Sequence, residues 1–188
     1  MSRINEKFTE LKRKNEKALI AYIMMGFPNE KATITTVRGL VKGGADIIEL
    51  GFPFSDPLAD GPVIQNASTV SLEKGTNISK FFNLVKKIRK ETDIPLVLMT
   101  YTNILYHRGY EKFISEAKSA GIDGFILPDM SIEESKEYTK SAENKADTIF
   151  LISPNTSKTR IEKIAKTSTG FLYLVAVFGT TGVKTSIK

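Results

Sequence analysis

A chain of 188 residues that is 41% hydrophobic is long enough for one buried core and short for two large domains, so a single domain over 1–188 is expected. Its 27 basic and 21 acidic residues leave a net charge of +6, but the lysines are spread over helical segments, which reads as a solvated surface and not a nucleic-acid stripe, and no apolar run approaches the roughly 18 residues of a membrane span. With no cysteine and a single histidine, His107, disulfides and thiolate chemistry are excluded and a zinc site or histidine triad has little to draw on.

The first segment, MSRINEKFTELKRKNEK, lacks the apolar stretch of a signal peptide, so a cytoplasmic location is expected. It reads instead as a helix with Ile4, Phe8 and Leu11 on one face. Beyond it, short apolar runs alternate with longer amphipathic stretches, the pattern of a parallel sheet with crossover helices. A strand over 18–24 is followed by a helix over 30–42. The turn Gly43-Gly44-Ala45-Asp46 leads into a strand over 46–50, and an unusually long connection holding Pro53, Pro57 and Pro62 then runs to a helix over 78–91. A strand over 95–100, a helix over 109–120 and a strand over 124–127 come next. Their second turn, Ala120-Gly121-Ile122-Asp123, repeats the logic of the first: a helix ending in Gly, then Asp, then a strand. Ser131 with Glu134 forms a capping box that opens a helix over 132–143. A strand over 148–152, a helix over 158–167 and a strand over 170–177 complete six units.

Near-continuous apolar strands suit burial on both faces. The fold class expected is α/β, a (βα)8 TIM barrel with about six of the eight units present, because a closed barrel needs eight units and about 250 residues. The polar Gly/Thr/Lys stretch over 180–188 reads as a loop after the sixth strand. The C-terminal portion of the barrel is therefore expected to be absent from this chain, leaving two unpaired sheet edges.

The chemistry concentrates after the second strand. Glu49 ends an apolar run, and the C-terminal ends of barrel strands form the active-site face, so its carboxyl is expected in the mouth. Burial there disfavours the charged form and raises the pKa, which lets one glutamate both give and take a proton near neutrality. The bland alternative is a glutamate paired with a lysine of a neighbouring strand. Asp56 and Asp60 follow on the long connection, where prolines hold them in defined places. An ordinary surface loop with Asp-Pro and Asp-Gly turns is the alternative there. No metal is expected, although Glu49, Asp56 and Asp60 offer the oxygens that Mg²⁺ prefers.

The segment ELGFPFSDPLADGPVIQ, from Glu49 to Gln65, resembles the signature of the tryptophan synthase α subunit family. Supporting segments stand in the matching order: AYIMMGFP from Ala21, LMTYTN from Leu98, DGFILPD from Asp123 and GTTG from Gly179. The Glu49 to Gln65 segment argues against another phosphate-sugar barrel enzyme.

The resemblance implies a lyase of tryptophan biosynthesis that needs no cofactor and cleaves indole-3-glycerol phosphate to indole and glyceraldehyde 3-phosphate. Glu49 matches the family's general acid/base, and Asp60 matches the carboxylate that steadies positive charge on the indole nitrogen. By the same resemblance Tyr173 lies near the carboxylates, and Tyr22, Met99 and Ile152 line the indole pocket; plain core packing is the alternative for these four. Thr181 falls in a loop that closes over substrate and hydrogen-bonds Asp60, or else in a loose tail. Pro53, Asp56, Pro57, Asn103 and Asp129 match positions facing the β subunit of an α2β2 complex. Pyridoxal phosphate belongs to that subunit alone, and no nucleic acid or membrane is implied as a partner. The family's phosphate clamp lies in two further βα units. A truncated chain that binds and regulates the β subunit without full catalysis is the alternative function.

Overall fold

The computed structural model describes residues 1–175. Helix α1 (Arg3–Lys14) is followed by β1 (Ile20–Met24), α2 (Glu30–Lys42) and β2 (Ile47–Gly51). Next come α3 (Pro62–Glu73), α4 (Ile78–Arg89), β3 (Leu96–Met99), α5 (Thr102–Arg108) and α6 (Tyr110–Ala120). The rest is β4 (Gly124–Ile126), α7 (Lys136–Ala142), β5 (Asp147–Ile152), α8 (Lys158–Thr167) and β6 (Leu172–Leu174). The strands form one parallel sheet in chain order, β1-β2-β3-β4-β5-β6.

Alternation along each strand sorts its side chains onto two faces. One face carries Ile48, Leu50, Leu96, Leu98, Phe125 and Phe150, packed against helical residues such as Val37, Phe81, Val85, Phe113 and Tyr138. The other carries Ile47, Val97, Ile126 and Ile149, joined by Ile4 of α1. The second cluster lines the inside of the curled sheet. Burying an isoleucine such as Ile4 stabilises the fold by about 1.5–3 kcal/mol.

Helix α1 lies across the N-terminal ends of the strands. Ser2 caps it and also donates to the Asp147 carboxylate at the start of β5. Arg3 Nη1 reaches Asp123 Oδ1 at 2.9 Å, and Asp123 Oδ2 accepts from Arg89 Nη2 at 2.7 Å and from the Leu96 N–H at 2.9 Å. The buried carboxylate is thus fully hydrogen-bonded, the condition under which a buried charge is tolerated. Arg89 also donates to the carbonyl of Gly121, whose φ of +111° ends α6 in the left-handed region open to glycine. A side chain at Gly121 would meet Arg89 at 2.9 Å. At Gly121 the Gly-to-Asp turn is therefore a packing joint as well as a helix stop, whereas a side chain at Gly44 in the first turn would meet nothing within 4 Å.

Helices α2 and α8 begin and end where their patterns predict, and all six strands lie within the expected runs or extend one residue past them. Residues 176–177 of the sixth predicted strand lie outside the described residues. Three helices depart from expectation. The long connection after β2 is loop only as far as Gly61; Pro62 opens α3 at its first turn, a position where proline's missing N–H costs nothing. Helix α5 occupies a stretch with no predicted element. Helix α7 starts at Lys136, later than predicted. Ser131 and Glu134 do pair, with Glu134 N–H donating to Ser131 Oγ at 3.3 Å and Ser131 Oγ donating to Glu134 Oε2 at 2.8 Å. They close a turn ahead of the helix instead of opening it. Among the described residues no helix is long and apolar enough to cross a membrane.

Candidate active site

Glu49 shares the inner face with Ile47, one pleat nearer the C-terminal end of β2, and stands in register between Tyr22 of β1 and Val97 of β3. It is 5% exposed. Burial alone pushes its carboxyl from the ordinary 4.5 up to about 7. Among the described residues no lysine or arginine pairs with it, so the lysine-paired alternative is not what the structure shows.

Tyr22 crosses the strand beside it. Its hydroxyl lies 2.1 Å from where a Cβ on Gly51 would stand, so only glycine at the end of β2 admits the ring. Burial raises the Tyr22 hydroxyl pKa, and the nearby Asp60 and Glu49 carboxylates raise it further. Tyr173 on β6 shows the same causes in the order burial, Glu49, Asp60. The two tyrosines and two carboxylates therefore form one electrostatic cluster. Met99 and Tyr173 pack on the inner cluster beneath it.

Asp60 is carried by the loop between β2 and α3. Ser68 of α3 accepts from the Phe54 N–H at 2.8 Å and donates to the Phe54 carbonyl at 2.9 Å. Gln65 Nε2 donates to the Asp60 carbonyl at 2.9 Å. Phe54 stacks on Tyr101, whose hydroxyl donates to Asp60 Oδ2 at 3.1 Å. Burial pushes the Asp60 carboxyl pKa up, and the Tyr101 hydrogen bond pulls it part of the way back. A cavity of about 10 Å³ remains among Tyr22, Asp60, Met99 and Tyr101. A far larger recess, about 1070 Å³, lies at the opposite end of the strands beside Ser2 and Asp147 and touches none of these residues.

One pocket residue is misplaced by the sequence. Ile152 packs with the outer cluster, while Leu151 packs inside with Tyr173. A shift of one residue along a strand exchanges its faces, so Leu151 is the side chain that reaches the interior. Of the residues matched to a partner-facing surface, Asp56, Asn103 and Asp129 are exposed and Pro57 is half-buried. Pro53 is buried, as is Phe52 before it, which packs edge-on against Phe81 with ring centroids 5.3 Å apart. Asp129 caps α5 by accepting from the Thr102 N–H at 2.9 Å and from Thr102 Oγ1 at 2.9 Å. Asp56 accepts from Ser55 on the loop surface, and among the described residues no three acidic or histidine side chains converge to hold a metal ion. Thr181 lies outside the described residues. Tyr101, Ser68 and Leu151 are the site residues that sequence reading passed over.

Proton-moving carboxylates at the C-terminal ends of parallel strands are the working plan of βα-barrel enzymes, and fold and site together put this chain in that class. The comparisons narrow it. A family model described as tryptophan synthase alpha chain matches residues 8–188, and the chain belongs to that family. The tryptophan synthase alpha chain of Methanosarcina barkeri is 48% identical over 187 residues, spanning 99% of this chain and 70% of the relative. The crystal structure of tryptophan synthase subunit alpha from Legionella pneumophila superposes with a TM-score of 0.90 at 38% identity, covering 94% of this chain and 68% of that one. Tryptophan synthase of Mycobacterium tuberculosis gives a TM-score of 0.91 at 32% identity, covering 98% and 72%. The fold is thus that of the family's TIM barrel, with six of its parallel strands among the described residues.

Proposed function

We propose that this chain acts as a carbon–carbon lyase in tryptophan biosynthesis, cleaving indole-3-glycerol phosphate to indole and glyceraldehyde 3-phosphate. The observation that carries the reading is Glu49, buried without a charged partner among the described residues and held at about 7. At that value both protonation states are populated at neutral pH, which suits a group that must first donate and then accept. The retro-aldol step needs a proton delivered to indole C3 and one removed from the glycerol hydroxyl next to the ring. The C–C bond then breaks, its electrons return to the indole, and the hydroxyl carbon becomes the aldehyde. Glu49 is the proton carrier in this scheme. Asp60 faces the ring N–H and stabilises the positive charge that protonation at C3 creates.

Family membership supports the substrate, and the Tyr22, Met99, Leu151 and Tyr173 side chains supply the apolar and aromatic lining an indole needs. None of these steps calls on a cofactor. The exposed Asp56, Asn103 and Asp129 are the surface we assign to a β subunit, with pyridoxal phosphate confined to that partner in an α2β2 complex and a cytoplasmic location for both. Indole release, with and without β subunit, tests the proposal. Glu49→Gln is expected to slow turnover by about 10²-fold or more. A rate within about threefold of the parent chain would remove Glu49 from the chemistry.

A further inference from the structure

Tyr101 ends the run from β3 and opens α5, and it is 8% exposed. Three contacts fix it. Its ring stacks on Phe54 with centroids 5.0 Å apart and planes 28° apart. Its hydroxyl accepts from the Ala59 N–H at 3.0 Å and donates to Asp60 Oδ2 at 3.1 Å. A phenol has a single proton to give, and here it goes to one oxygen of one carboxylate. Among the described residues no donor reaches the other oxygen, Oδ1.

A carboxylate on a loop is soft about its last torsion, and its two oxygens are equivalent until something distinguishes them. Electrostatic stabilisation of a developing charge requires the opposite, a carboxylate already aimed before the charge appears. We propose that Tyr101 is a positioning residue: it holds Asp60 by one oxygen and turns the other toward the substrate's ring N–H. The proposal rests on the lyase reading above and deepens it. The backbone contact matters as much as the carboxylate contact, because the Ala59 N–H fixes the phenol oxygen and so fixes the direction in which its proton points. The stacked Phe54, itself tied to Ser68, prevents the ring from swinging away. Donation to the ionised carboxylate also favours its charged form against burial, in line with the opposing effects on Asp60.

Tyr101→Phe in the whole chain removes the hydroxyl and keeps the stack. With indole-3-glycerol phosphate as substrate, kcat is expected to fall about tenfold or more with KM within about twofold, and the acid limb of the kcat profile to move to higher pH. In an Asp60→Asn background the same substitution is expected to change kcat by less than about twofold, since residues acting as a unit are not additive. A carbon-13 NMR titration of the Asp60 carboxyl needs no substrate, so it stands even where the lyase reading fails. Its midpoint is expected to be higher in Tyr101→Phe than in the parent. An unmoved midpoint, or an equal kcat loss in both backgrounds, overturns the proposal. Circular dichroism and thermal melts of each variant separate these outcomes from simple misfolding.

Discussion

The Tyr22 hydroxyl occupies the space into which a side chain at Gly51 would grow. Two neighbouring strands therefore share one volume at their C-terminal ends, with the ring from β1 filling what β2 leaves open. Glu49 sits one pleat below, so the contact roofs the carboxylate we propose as the proton carrier. Gly51→Ala is expected to push Tyr22 aside, cost about 1–3 kcal/mol of stability by overpacking and reduce turnover about tenfold or more through the displaced pocket wall. Urea unfolding and the indole-release assay read the two effects separately. Full activity in a well-folded Gly51→Ala chain would show that the Tyr22 position is immaterial.

Glu49 makes stability depend on pH with a definite sign. Its pKa in the folded chain is raised from 4.5 to about 7, so the folded state holds the proton more tightly than the unfolded one. The resulting stabilisation is complete below about pH 4.5 and is lost as the pH rises through 7. A displacement of this size corresponds to a loss on the order of 3 kcal/mol between those limits. Glu49→Gln is expected to flatten that part of the profile and to be more stable than the parent at pH 8. Equilibrium unfolding at pH 5.5 and pH 8 checks this. A parent chain equally stable at both, relative to the glutamine variant, would contradict the desolvated state described for Glu49.

Leu151 and Ile152 are adjacent but face different clusters, and their truncations should diverge. Leu151→Ala is expected to raise KM severalfold, because it removes a wall of the inner space. Ile152→Ala is expected to leave KM alone. Each side chain is only half-buried, so each truncation should cost about 1–3 kcal/mol, toward the lower end of the range for large-to-small core changes. Steady-state kinetics alongside urea titration distinguishes them, and a KM effect confined to Ile152 would reverse the assignment.

Asp123 joins Arg3 of α1 to Arg89 of α4 beneath the sheet. Asp123→Ala leaves Arg89 with its side chain 14% exposed and its carboxylate partner gone, and breaking a buried pair in this way costs about 3–5 kcal/mol. Hydrogen exchange is expected to show α1 losing protection ahead of β2 and β3. Unchanged exchange in α1 would show that its other contacts, such as Ile4 in the inner cluster and Phe8 against Phe171, hold the helix without Asp123.

The strands were legible because buried parallel strands leave a nearly continuous apolar run, and α2 and α8 because polar caps and amphipathic spacing mark both ends. Helix α3 was not. Its buried face is Ala67, Ser68 and Ser71, small or polar residues that draw no apolar stripe, and Pro62 reads as a loop residue when the helix behind it goes unseen. Helix α5 buries Leu105 alone. The placement of Glu49 near the end of β2 and of Asp60 on the loop behind it was legible through a long motif, whereas Tyr101 stood in the LMTYTN segment looking like any aromatic at a strand end. What marks it is a hydroxyl bonded 41 positions back in the chain, a relationship that spacing does not encode. The slip between Leu151 and Ile152 has the same origin: facing is set by register, and an unbroken apolar run gives no sign of which residues look inward.

Helix α1 grips the strands at the ends opposite Glu49 and Asp60. The anchor and the candidate site therefore occupy separate termini of the same six strands, joined on β2 by a single pleat from Ile47 to Glu49. Sequence drift in α1 and its Asp123 and Asp147 seats can retune the melting temperature while Glu49 and Asp60 keep their places, and drift around the mouth can alter their surroundings without loosening the floor. The division gives this scaffold room to adapt to temperature and to substrate one at a time.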